Sequence, residues 1–330
     1  MTQDPGENRA ETARPSAVAP PAPRQTRAGL PYPGIATAVH PGRVSARRGG
    51  GPVAVSCLAA LVALGTSACG STATPESATP EPANLARTAE YREGVEADVY
   101  LPPELEPGPA PVVVLVPGGS WASADRTGLG PLADALAADG MVAVNATYRA
   151  AGDGVVYPVP VEDIACAVSW AAEQAGKEGV VPDPLVVAGH SAGAQLSALA
   201  ALAPDEYAGD CPAPPSAPTG FVGLAGPYDL TAMEDVAQPL FGVSRAEDPE
   251  SWRDADVGRR AAERPDLDVL LLHGEDDTMV SPASSQVLAS AMSDAGHDVT
   301  LTLVPGVDHL GLFAADAAAP LIAEWVAGRR

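Results

Sequence analysis

One pentapeptide constrains the fold of this chain more than any other stretch: Gly189-His190-Ser191-Ala192-Gly193. An apolar run, Leu185 to Ala188, leads into it, and an Ala- and Leu-rich run, Ala194 to Leu202, leads out. The first reads as a buried strand, and the second consists largely of strong helix formers. A chain that passes from strand to helix across one residue must turn sharply there and strain the backbone of that residue, Ser191. Glycines on both sides suit such a turn, because the helix has to pass close to the strand. The spacing therefore predicts a strand–turn–helix unit that presents the Ser191 hydroxyl at the carboxyl end of a strand.

The 330-residue chain carries a formal net charge of −23. That balance excludes a nucleic-acid partner, which requires a basic surface. Residues 1–43 are rich in Pro, Ala, Arg and Gly without apolar periodicity, and read as disordered or as a mis-assigned extension. Residues 44–69 then spell an export leader. Arg47 and Arg48 form a basic segment, Val53 to Leu64 a short apolar core, and Gly65 to Ala68 are small residues before Cys69. The small residues before Cys69 resemble a lipobox, in which that thiol would be acylated and would anchor the protein to the outer face of the membrane. The alternative is cleavage after Ala68 and release. Because the leader lies far from Met1, translation is expected to start downstream, for instance at Val44. Residues 70–87, with their Ser, Thr and Pro, read as a tether, and residues 88–330 as one domain of sufficient size for a substantial core. Cys166 and Cys211 remain after the leader, and an exported pair predicts a disulfide; two separate buried thiols are the alternative.

Within the domain, strands and helical runs alternate. Val95 to Tyr100 alternates as a half-buried strand, and Val112 to Val116 is a continuous apolar run, as expected of a strand covered on both faces. Met141 to Asn145, Leu185 to Ala188, Phe221 to Ala225, Leu267 to Leu272 and Asp298 to Val304 follow as further strands, with helical segments near 131–139, 159–175 and 194–202. This alternation predicts an α/β architecture: a mostly parallel sheet with helices on both faces. Residues from about 230 to 264 are charged and irregular and read as a small cap over the active site. Pro117-Gly118-Gly119-Ser120-Trp121 follows the central strand. A glycine pair there is suited to pointing backbone N–H groups at a developing oxyanion, with Gly119, Ser120 and Ala192 as the donors. Neither a metal-ligand cluster nor a dinucleotide fingerprint stands in the sequence, so no cofactor is expected.

These motifs resemble the α/β-hydrolase superfamily, in its esterase/lipase branch of small carboxylesterases and kynurenine formamidases. Gly-His-Ser-Ala-Gly is similar to that branch's nucleophile turn, and Pro117 to Trp121 to its His-Gly-Gly-x-Trp loop, with Pro117 standing where the family has histidine. Tyr148, Arg149, Pro158, Asp163, Ala167 and Trp170 fit a further family pattern and are read as structural, with Arg149 and Asp163 a possible pair. The resemblance implies a triad acid in His-Gly-x-x-Asp-x-x-Val, which aligns with Asp277, beside Glu275 and Asp276 as chemical rivals. It places the base on the loop after the last strand, at His309. Elimination agrees: His40 lies in the tail, His190 is expected to point away from the site, His273 to be structural, and His297 to lie on the wrong side of the sheet. The order Ser191, Asp277, His309 is that of the fold. The resemblance thus implies a serine hydrolase, first a carboxylesterase on short- to medium-chain esters. An arylformamidase or peptidase-like amide hydrolase is the enzymatic alternative, and a surface-tethered binding protein on a hydrolase scaffold the non-enzymatic one. The expected partner is a small ester, and the sequence does not specify an oligomeric state.

Overall fold

The computed structural model describes residues 83–329, together with Met1. The leader, Cys69 and most of the expected tether lie outside the described residues.

The domain is built on an eight-stranded sheet of order β1-β2-β4-β3-β5-β6-β7-β8. An antiparallel hairpin, β1 (Leu85–Arg92) and β2 (Val95–Tyr100), forms one edge. β2 runs antiparallel to β4 (Val142–Ala146), and from β4 onward every pairing is parallel: β3 (Gly108–Val116), β5 (Val180–His190), β6 (Gly220–Leu224), β7 (Asp268–Gly274) and β8 (Val299–Val304). The domain begins earlier than residue 88, because β1 starts at Leu85. Most of β1 is exposed or half-buried, with only Tyr91 buried, so this edge strand carries little apolar signal.

The apolar runs alternate between two cores, as the period of two in a strand requires. Val112, Val114 and Val116 join one core with α2 (Val159–Lys177), α3 (Ala192–Leu202) and α7 (Ala283–Ala295). Val113 and Leu115 join the other with α1 (Gly130–Ala138) and α8 (Ala315–Ala327). Both faces of the sheet are thus covered, as the Val112–Val116 run predicts. Among the described residues, no helix is long and apolar enough to cross a membrane.

The chain order creates the site. From β3 it crosses to β4 on one side, then returns to place β5 on the other side of β3. The loops leaving β3 and β5 therefore diverge at a topological switch point, where open α/β sheets bind their ligands. The residues between 230 and 264 form short helices, α4 (Glu234–Phe241), α5 (Pro249–Asp254) and α6 (Val257–Arg260). Their apolar side chains join the core on the α2 and α3 face, with Phe241 stacked on Trp252 at 4.2 Å. Asp163 is fully buried and receives Arg149 through two bonds of 2.7 and 2.8 Å, as sequence suggested, and Arg92 through a third of 2.8 Å. Cys166 of α2 and Cys211 of the loop after α3 form a disulfide with Cα atoms 5.2 Å apart.

Candidate active site

Ser191 sits between β5 and α3 with φ 52° and ψ −125°, a conformation that L residues rarely adopt. Close packing enforces it. A Cβ at Gly193 would overlap the carbonyl of Pro117 and stand 2.7 Å from that of Val116, so α3 passes the end of β3 only because residue 193 is glycine. The N–H of Ser191 donates to Leu224 in β6 at 2.8 Å, which fixes the turn to the sheet.

Two loops bring partners to the hydroxyl. His309, from the loop after β8, places Nε2 2.9 Å from Ser191 Oγ and donates from Nδ1 to Asp277 Oδ2 at 2.7 Å. A carboxylate only accepts, so the proton on Nδ1 leaves Nε2 with its lone pair toward serine, the tautomer a base requires. Asp277 lies in the turn after β7. Its Oδ1 accepts from the N–H groups of Met279 and Val280 at 2.9 and 2.8 Å. Burial opposes ionisation of this carboxyl, but those N–H groups and His309 outweigh it and hold its pKa below the usual value. The rivals Glu275 and Asp276 are exposed, whereas Asp277 is buried.

The loop after β3 supplies the third part. Ser120 and Trp121 have φ of 52° and 58°, and the carbonyl of Gly119 accepts from Ala122 and Ser123 at 3.0 and 3.2 Å, which fixes this turn. The N–H groups of Gly119, Ser120 and Ala192 find no acceptor among the described residues, so they are free for an oxyanion. Pro117 offers no imidazole to brace this loop, and a buried bridge does so instead. Trp121 Nε1 donates to Gln195 Oε1 of α3 at 3.0 Å, and Gln195 Nε2 donates to the carbonyl of Ala255 at 2.9 Å.

Gly119, Ser120, Ser191 and His309 line one cleft of about 230 Å³. Leu129, Met279, Leu310 and Phe313 form apolar wall, and Asp125 adds a carboxylate at the rim. No residue between 230 and 264, the stretch read as a small cap, is in this lining. The short helices are drawn sideways onto α3 because their buried apolar side chains find cover there.

One histidine departs from expectation and a second does more than expected. His190 does not point away: it lines the cleft and donates from Nε2 to the carbonyl of His309 at 2.9 Å. His273 donates from Nε2 to the carbonyl of Val280 at 3.0 Å, with Asp277 Oδ2 at 3.2 Å from the same nitrogen, while its Nδ1 accepts from Ser285. It is thus structural and also touches the triad acid. Burial depresses the pKa of both rings, that of His190 to about 4. His297 lies apart, bonded to the carbonyls of Leu267 and Ala261. Gln195 and Phe313 were not singled out in the sequence; Phe313, four residues after His309, is the one that position within a loop could have suggested. Among the described residues, no group of three or more His, Cys, Asp and Glu side chains is placed to hold a metal ion.

Comparison with known proteins agrees with this architecture. The chain is 32% identical to esterase LipQ of Mycobacterium tuberculosis over 69% of its own length and 57% of the relative's. It is 31% identical to the probable carboxylic ester hydrolase LipM of the same organism over 58% of its length and 47% of that relative's. It spans about half the length of these curated relatives. Among solved structures, esterase Est2 of the planctomycete Thermogutta terrifontis, bound to propionate, superposes with a TM-score of 0.61 at 24% identity, over 76% of this chain and 94% of that one. This likeness shows the α/β-hydrolase fold. The BD-FAE family model matches residues 97–292, more than half of the sequence, and the chain is a member of that family.

Proposed function

We propose that this protein is a serine carboxylesterase that cleaves short- to medium-chain esters through an acyl-enzyme on Ser191. The observation that carries the reading is the continuous Asp277–His309–Ser191 line, with bonds of 2.7 and 2.9 Å, in the cleft that also holds the free N–H groups. The esterase names of the matched relatives support it. His309 Nε2 takes the proton from Ser191 Oγ as that oxygen attacks the ester carbonyl. The tetrahedral oxyanion lies against the N–H groups of Gly119, Ser120 and Ala192, and Asp277 steadies the imidazolium. His309 then protonates the departing alkoxide. A water then gives a proton to His309 and attacks the acyl-enzyme; the bond to Ser191 Oγ breaks, His309 returns the proton to Oγ, and the acid leaves. The modest cleft with its apolar wall suits small acyl groups. The leader sequence supports export, with Cys69 as the proposed anchor.

The test is a panel of p-nitrophenyl esters of graded chain length together with N-formylkynurenine, each run against Ser191→Ala. Ester turnover lost by several powers of ten in a folded variant is the expected result. Turnover surviving in Ser191→Ala refutes the nucleophile, and cleavage of the formamide in preference to every ester refutes the substrate class.

A further inference from the structure

Each part of the proposed machinery hangs from a different loop, and one side chain beside the nucleophile meets both the loop of the base and the loop of the oxyanion donors. His190 immediately precedes Ser191 and is 5% exposed. Its Nε2 lies 2.9 Å from the carbonyl of His309, and its ring centroid 4.8 Å from that of His309. Phe313 packs edge-on to the same ring, with centroids 4.7 Å apart. It also abuts the oxyanion loop: a Cβ at Gly118 would stand 3.2 Å from His190 Nδ1 and 2.8 Å from Ser191 Cβ.

We propose that His190 is a positioning residue, which locks the loop of the base and the loop of the oxyanion donors onto the turn of the nucleophile. The proposal rests on the serine hydrolase reading above. A carbonyl only accepts, so His190 carries its proton on Nε2 and uses it to hold the backbone of His309. The donor stands on the residue next to Ser191, at the rigid end of β5. Any slip of the His309 loop therefore breaks this bond before the 2.9 Å contact between Nε2 and Oγ can lengthen freely. The same ring stands beside Gly118, so the oxyanion loop is seated against it. The titratable groups around the ring are His309, Asp277 and His273, with Asp125 in the lining of the same cleft. Burial keeps His190 neutral beside His309, so the base does not work against a neighbouring cation.

The experiment compares His190→Leu, which keeps bulk and loses the donor, with His190→Gln, whose amide nitrogen reaches about as far as Nε2. Active sites are counted with a serine-directed phosphonate, and kcat and KM for p-nitrophenyl butyrate are expressed per labelled site, so that misfolded protein drops out. His190→Leu is expected to lower kcat about 5- to 150-fold, the range for leaving a buried acceptor unpaired, with KM changed less than about threefold. His190→Gln recovers most of the loss. A wild-type kcat per site in His190→Leu, or no recovery in His190→Gln, overturns the proposal. If His190→Leu gives no folded protein, His190→Asn replaces it. Its amide reaches only as far as Nδ1, and it must fall well below His190→Gln or the proposal fails. Wild-type protein that neither labels nor turns over esters would refute the hydrolase reading itself, a different result from any of these.

Discussion

Acid should destabilise this fold through His190 well before it reaches the carboxylates. The ring is held near a pKa of about 4, first by burial, against 6.5 for a free imidazole. The folded state thus binds the proton less readily than the unfolded chain. A depressed folded value means that the contribution to stability is fully present above pH 6.5 and is lost as pH falls from there toward about 4. At pH 4.5 the unfolded imidazole is almost wholly protonated and the folded one mostly neutral. The linkage cost relative to pH 7 is about 2 kcal/mol, a large fraction of an ordinary folding free energy. His273 is shifted in the same direction and adds to the slope, whereas Asp277, also depressed, titrates below 3.8 and stays outside this window. Subtraction isolates His190. In urea unfolding at pH 7 and pH 4.5, wild type should lose about 2 kcal/mol more than His190→Gln does. Parallel losses in the two proteins would refute the reasoning, because the ring would then titrate alike in the folded and unfolded chains.

Other perturbations have equally definite outcomes. Replacing both cysteines by serine releases a link that spans 45 residues, for which chain entropy gives about 4 kcal/mol; the urea midpoint should fall, and adding reductant to wild type should reproduce the fall. Trp121→Phe strips the buried Oε1 of Gln195 of its donor, and should cost about 1–3 kcal/mol in unfolding and lower kcat more than it raises KM, since the oxyanion loop loses its brace. Asp125 is the lone Asp, Glu, Lys or Arg in the described lining of the cleft. A charge about 8 Å away in water is worth about 0.5 kcal/mol, so Asp125→Asn should raise kcat/KM for an anionic hemisuccinate ester about twofold at low salt and leave an uncharged ester alone.

What was legible in the sequence is what local chemistry decides. Val112 to Val116 is apolar without a break because both faces of β3 are covered, and that pattern needs no tertiary information. The nucleophile turn is legible because its glycines answer to contacts within a few residues and one neighbouring strand. Asp277 and His309 became visible through the resemblance of their motifs to a known family's, and burial then separated Asp277 from its exposed neighbours. The features that stayed hidden are set by packing across the chain. Leu85 to Arg92 is a half-exposed edge whose partner defines it as a strand. The helices between 230 and 264 are placed by Gln195 and by apolar cover on α3, not by their own charged sequence. His190 precedes a residue with φ 52°, and a regular strand continued through it would mislead on where its ring goes.

One strand intervenes in the site without contributing to its chemistry, and its handling explains why the loops can meet. β6 lies between β5, which carries Ser191, and β7, which carries Asp277. A chain leaving β6 straight ahead would fill the gap that His309 must cross to reach Ser191. It turns at once, at Ala225 with φ 52°, after the N–H of Ala225 has donated to Leu272 at 2.9 Å. The Ser284 hydroxyl at the start of α7 then captures the exit: it donates to the carbonyl of Gly226 and accepts from the N–H of Tyr228, both at 2.9 Å. The Tyr228 ring folds back under the strand, into the space that the missing side chain of Gly223 leaves and edge-on to Phe221. The β6 exit is thus pulled toward α7 and down into the core. That leaves the carboxyl edge of the sheet open between nucleophile and acid, with His309 reaching in from the far side of β7. The 2.7 and 2.9 Å bonds of the triad depend on that clearance as much as on the three residues that make them.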